Sequence, residues 1–165
     1  MNDILEDVLK SSLDIVFCGT AASKKSAETQ SYYAGPGNKF WKVLNDIGLT
    51  PKILLPEKYT DLLNYNIGLT DIAKRVYGND DEINKGDYDI ESFIRKIKKY
   101  QPKIICFNGK AAGKTFFNIK SVNYGLQSKG FQDSKIFIVP STSGSANGCW
   151  DIDYWHELSK LIKVK

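Results

Sequence analysis

A chain of 165 residues with 42% hydrophobic side chains has the material for one core, and we expect a single domain over residues 1–165. The net charge of +4, from 23 Lys and Arg against 19 Asp and Glu, is compatible with a polyanionic partner but does not single one out. Apolar stretches run only a few residues, and the leading MNDILEDVLK carries acids where a secretory signal carries bases, so no membrane span or signal peptide is expected and the protein reads as soluble, unprocessed and cytoplasmic.

The first strand-like run is Asp14–Gly19 (DIVFCG), followed by the small-residue turn GTAAS, Gly19 to Ser23. A polar stretch leads to YYAGPGNKFW, Tyr32 to Trp41, and helical spacing begins with Phe40, Leu44 and Ile47. The second strand is Ile67–Asp71 (IGLTD), and Tyr77–Tyr88 (YGNDDEINKGDY) reads as a polar surface loop. A helix with Ile90, Phe93, Ile94 and Ile97 on one face precedes the third strand, Lys103–Asn108 (KIICFN), which runs into NGKAAGKT. The fourth strand, Lys135–Pro140 (KIFIVP), leads into PSTSGSANG, Pro140 to Gly148, and a last helix presents Trp155, Leu158 and Ile162. Strands that are nearly all apolar must be covered on both faces, so the alternation predicts a three-layer α/β/α domain with a mainly parallel central sheet. In such a sheet ligands collect outside the carboxyl ends of the strands, which makes the four strand-following segments the informative ones.

Each of those segments has a plain reading and a functional one. Gly19 and Gly35–Pro36–Gly37 suit turns, and Asn38 suits a helix cap; together, however, strand, small-residue turn, aromatic pair and capped helix make a slot in which a planar ring can stack. Asp71 ends a buried strand, where it either caps the next segment, pairs with Lys74 or Arg75, or orients water beside the first loop. NGKAAGKT is one glycine away from a phosphate-binding loop, since Asn108 occupies the first glycine position; a tight turn into a helix, with Ala111 and Ala112 packed on the sheet, is the plainer alternative. PSTSGSANG is either a mobile surface loop or a wedge whose hydroxyls and amides meet DNA phosphates as a base is extruded.

Cys18, Cys106 and Cys149 lie far apart with no CxxC pair, which argues against a disulfide framework, a zinc site or a four-cysteine iron–sulfur cluster and in favour of buried structural thiols. The single histidine, His156, falls on the last helix, and no Ser/His/Asp triad or His-rich metal site can be assembled.

Taken together, GTAAS, YYAGPGNKFWKVL followed by GLTP, GLTDIAKR and PSTSGSANG resemble the mismatch-specific uracil/thymine-DNA glycosylase family of the uracil-DNA glycosylase superfamily, over most of the chain. That family's first loop usually reads GINPG, with an asparagine that positions the attacking water, and its late loop usually reads NPSG. Here Ala21 stands at the asparagine, and Ser141 and Thr142 replace the late asparagine and proline. These departures resemble a bacterial branch that lacks the first-loop amide and carries an acid in GLTD. The resemblance implies Asp71 as the water-orienting residue or as a reader of the base edge, and Tyr33 as the aromatic that stacks on the extruded base. Gly19, Thr20, Ala21, Asn38 and Ser141 would complete the base pocket, with Ser23 and Ser143 meeting DNA and Gly144, Ser145 and Ala146 forming the wedge. Hypoxanthine-DNA glycosylases share YYA and PSTS with this chain.

The expected activity is therefore a monofunctional, metal- and cofactor-free glycosylase that starts base excision repair on uracil-containing, mismatched or deaminated DNA as a monomer, near the nucleoid if the source is bacterial. The alternatives are a hypoxanthine-DNA glycosylase, a DNA-binding module that keeps the fold without the chemistry and, more remotely, a nucleotide hydrolase.

Overall fold

The structure is a computed structural model that describes residues 2–163. The four apolar runs become β1 (Ile15–Gly19), β2 (Ile67–Asp71), β3 (Ile104–Asn108) and, after a two-residue β4 (Gly125–Leu126), β5 (Lys135–Val139). The sheet order is β2-β1-β3-β5-β4, parallel throughout except for β4, which pairs antiparallel with β5. Register aligns the carboxyl ends: Gly19 pairs with Asp71, Cys18 with Phe107, and Asn108 with Val139.

Side chains alternate across the sheet and build two cores. Ile15, Phe17, Leu69, Cys106, Phe137 and Val139 point to one face, where they meet α2 (Phe40–Asp46) and α5 (Ile152–Lys163). Cys18, Ile105, Phe107, Ile136 and Ile138 point to the other, against α3 (Ile90–Tyr100) and α4 (Lys110–Phe117). This is the three-layer arrangement expected from strands apolar on both sides. Trp155 anchors the first core: it is fully buried, stacks on Phe17 at 5.6 Å and donates Nε1–H to Pro140 O at 3.1 Å. Its helix therefore holds the start of the late loop in place. No helix among the described residues is long and apolar enough to cross a membrane.

Three elements lack a sequence signature. The six-residue α1 (Lys24–Thr29, KKSAET) buries only Ser26, so it has no apolar period; a Ser23 side-chain cap on Ser26 N starts it. A 3-10 segment, Pro56–Tyr65, buries only Leu62, and β4 is too short to show alternation. Strand ends are one residue shorter than expected at Asp14, Lys103 and Pro140; the last has no N–H to give to a ladder. The buried-thiol expectation holds for Cys18 and Cys106 but not for Cys149, which is exposed because the 3-10 turn Gly144–Cys149 carries it away from both cores.

Candidate functional site

The aligned strand ends open onto one cavity of about 590 Å³. β1 contributes Gly19 and the turn Thr20–Ser23, β2 contributes Asp71, β3 contributes Asn108, and the segment after β5 contributes Ser141 to Ser143. Tyr33 and Asn38 enter from the loop before α2, and Ser145 and Ala146 from the 3-10 turn. Of the residues expected to form the base pocket, the wedge or DNA contacts, Gly144 alone is not in the lining. Its backbone lies against Gly37, where an added Cβ would sit 3.3 Å from Gly37 O. Gly144 thus lets two loops approach.

Asp71 is 6% exposed. Burial pushes its carboxyl up to about 6; Lys74 opposes that rise, Asp7 adds to it, and Lys96 and the Gly19 amide oppose it. The nearby cations make their ion pairs elsewhere: Lys74 with Asp7 at 2.9 Å, and Arg75 with Asp3 at 4.0 Å. Asp71 therefore does not form the surface pair that is the plain reading of a strand-end acid. Gly19 is required beside it, since a Cβ there would lie 2.8 Å from Asp71 Oδ1 and 3.5 Å from Tyr33 Oη. Across the same turn, Ile72 N donates to Gly19 O and Ala73 N to Thr20 O, while the Thr20 and Ala21 amides donate to no other backbone group among the described residues. Two free amides and a buried carboxylate thus share one cavity wall.

Tyr33 is half-buried at φ +52°, a left-handed conformation rare for a bulky residue. One ring face rests on Phe40, with centroids 4.1 Å apart and planes 25° apart. Its hydroxyl is buried without a hydrogen-bond partner, and burial and then Asp71 push its pKa well above the ordinary value. Asn108 faces the hydroxyl, but its amide is held by Thr142, donating to Oγ1 at 3.0 Å and accepting from Thr142 N at 3.1 Å. A lone buried hydroxyl costs folding energy. Tyr33→Phe is accordingly expected to leave the melting temperature unchanged or raise it by a few degrees, measured by thermal denaturation.

Asn38 stands one residue before Lys39, the N-cap of α2; its Oδ1 accepts from Phe40 N at 3.0 Å, and its side chain lines the cavity. The Asn108–Thr142 clasp also decides the reading of NGKAAGKT. Asn108 secures the β5 loop, Gly109 at φ +107° turns the chain into α4, and Ala112 packs under the sheet, whereas Ala111, expected there too, lines the cavity. This is a structural turn rather than a phosphate cradle.

The polar segment expected to be an ordinary surface loop contributes as well. Tyr77–Tyr88 folds into two 3-10 turns with capping boxes, Asp80–Glu82 and Lys85–Asp87, and Gly78 to Asp81 line the cavity. Thr20 Oγ1 donates to Asp80 and Gly78 N donates to Ala22 O at 2.9 Å, so this wall is tied to the first loop. Lys110, its ammonium 4.4 Å from the Tyr124 ring centre, Tyr124 itself and Cys149 also line the cavity. Nothing in the local sequence marks these residues, because the contacts join segments far apart in the chain. Among the described residues no three His, Cys, Asp or Glu side chains are placed to hold a metal ion. His156 is exposed on α5, away from the lining.

The same architecture occurs in a solution NMR structure of a candidate uracil DNA glycosylase from Methanosarcina acetivorans, with a TM-score of 0.70, 23% identity, and coverage of 96% of this chain and 96% of that one. At that identity the likeness speaks for the fold. The sequence model of the Uracil DNA glycosylase superfamily matches residues 6–158, which takes in all four strand-end segments and every residue lining their cavity except Leu5. The chain belongs to the uracil DNA glycosylase superfamily.

Proposed function

We propose that the protein is a monofunctional DNA glycosylase that hydrolyses the N-glycosidic bond of uracil, and of related deaminated or mismatched bases, as a single domain acting alone on DNA in the cytoplasm or nucleoid. The observation that carries this reading is the buried Asp71 carboxylate sharing a cavity wall with the free Thr20 and Ala21 amides.

DNA is held through its phosphates by loop amides, the hydroxyls of Ser23, Ser143 and Ser145, and cations at the rim such as Lys110. The target nucleotide rotates out of the stack into the cavity, where its base stacks beside Tyr33 and meets the polar groups of Asn38 and Ser141. Ser145 and Ala146 take its place in the duplex. As the C1′–N bond lengthens, its electron pair leaves with the base, and the Thr20 and Ala21 amides stabilise the resulting anion. Positive charge grows on the sugar and is balanced by ionised Asp71, which orients a water molecule onto C1′ and accepts a proton from it. Uracil suits this route because it departs as an anion without prior protonation. Asp71 thereby takes the part that an amide at Ala21 would play.

The purified protein is expected to release free uracil from single strands and from G·U duplexes in the presence of EDTA, measured under single-turnover conditions. Inactivity on both uracil and hypoxanthine at excess enzyme, with oligonucleotide binding intact, would replace this reading with that of a DNA-binding module. Release of hypoxanthine alone would keep the reaction and change the base.

A further inference from the structure

Behind the strand end that carries Asp71, the N-terminal segment lays a second carboxylate against the same strand. Val8 N donates to Leu69 O and Leu69 N to Val8 O, both at 2.9 Å, and Ile4 N donates to Lys74 O at 2.7 Å. Gly68 permits this approach, since a Cβ there would lie 2.6 Å from Val8 O. The segment is thus pinned on both sides of Asp7.

Asp7 Oδ1 accepts from Thr70 Oγ1 at 2.6 Å and Lys74 Nζ at 2.9 Å, and Asp7 Oδ2 meets Lys96 Nζ at 2.6 Å. Lys74 is 8% exposed, and its ammonium also reaches Tyr32 Oη at 3.1 Å, whose own proton goes to Glu6 O at 2.8 Å. Two cations therefore share one carboxylate, leaving this partly buried cluster with one surplus positive charge. Desolvating an unbalanced charge is costly, and Asp71, three residues before Lys74 and itself buried, lies within the field of both lysines and offsets it. The other titratable groups facing Asp71 are Cys18 on β1 and the tyrosines Tyr32 and Tyr33; burial raises the pKa of all three, which keeps them neutral.

We propose that Lys74, held in place by Asp7, is a positioning residue of the reaction: the surplus positive charge of the Asp7–Lys74–Lys96 cluster keeps the buried Asp71 carboxylate ionised at neutral pH. The role in catalysis rests on the part assigned to Asp71 above, whereas the charge balance does not. Asp7 and Lys74 form one ion pair yet act on Asp71 with opposite sign, and this separates an electrostatic role from a structural one. Loss of packing from breaking the pair would move Asp71 the same way whichever partner is removed.

The test is a carbon-13 NMR titration of the Asp71 carboxyl, assigned by its loss in Asp71→Asn, in the wild type, Lys74→Met, Asp7→Asn and Lys96→Met, alongside the pH–rate profile for uracil release. The Asp71 midpoint is expected to rise by about one pH unit in Lys74→Met and to fall by a similar amount in Asp7→Asn. The rate profile should move with it. Shifts of the same sign in the two variants, or no shift in either, overturn the proposal. If Lys74→Met does not fold, Lys96→Met takes its place; its expected shift is upward and smaller, still opposite to that of Asp7→Asn. Because the titration needs no turnover, an inactive protein whose midpoints move in opposite directions supports the charge balance and overturns only the reading of the reaction.

Discussion

Asp71→Asn is expected to slow single-turnover uracil release by about three orders of magnitude while making the protein more stable at neutral pH. The kinetic loss follows from charge: an amide can hold a water molecule, but it neither takes its proton nor balances a cationic sugar. The gain in stability follows from burial. Asp71 titrates at about 6 in the fold against 3.8 as the ordinary value, so the folded state binds its proton more tightly than the unfolded state does. A group raised in this way contributes its full stability below the unfolded value and loses it as pH climbs through the folded one. At pH 7 the ionised carboxylate therefore costs the fold up to about 3 kcal/mol, which an uncharged side chain avoids. Melting temperatures at pH 4 and pH 7.5 test this: wild type and Asp71→Asn should nearly coincide at the lower pH and separate at the higher. The wild-type rate should likewise fall about tenfold per unit as pH drops below about 6, where Asp71 becomes protonated. A variant that keeps the wild-type rate from pH 5 to 8 would show that Asp71 is not the catalytic carboxylate.

Tyr33→Ala is expected to lower the same rate by up to about two orders of magnitude with little change in non-specific DNA affinity. Stacking on an aromatic ring is worth about 1–3 kcal/mol per base, and phosphate contacts are made by other groups. The structure adds a reason for the ring's precision: Phe40 supports one face, and the left-handed backbone at Tyr33 fixes its direction into the cavity. Comparison with Tyr33→Phe divides the effect, because the phenylalanine keeps the stacking surface and removes only the hydroxyl. An unchanged rate in a folded Tyr33→Ala protein would remove Tyr33 from the base pocket.

The sheet and the location of the cavity were legible in the sequence because both depend on local pattern. IVFCG, IGLTD, IICFN and KIFIV are apolar on both faces, a pattern that only a covered, largely parallel sheet satisfies, and such a sheet places its ligands at the carboxyl ends of its strands. That rule alone pointed to the segments that hold Gly19, Asp71 and Ser141, each at or just beyond a strand end. Short polar elements such as α1 carried no comparable period and escaped notice. Tertiary structure alone decided which side chains face one another across the chain. Thr20 meets Asp80, Asn108 clasps Thr142, Gly144 backs onto Gly37, and Asp7 gathers Thr70, Lys74 and Lys96. A strand's periodicity reports which face is buried, whereas the charge and hydrogen bonding around a buried carboxylate depend on segments brought together only when the sheet closes over its helices. For that reason the sequence pointed to Asp71 as an acid at a strand end, and folding determined that it would sit buried within the field of two cations sharing one carboxylate.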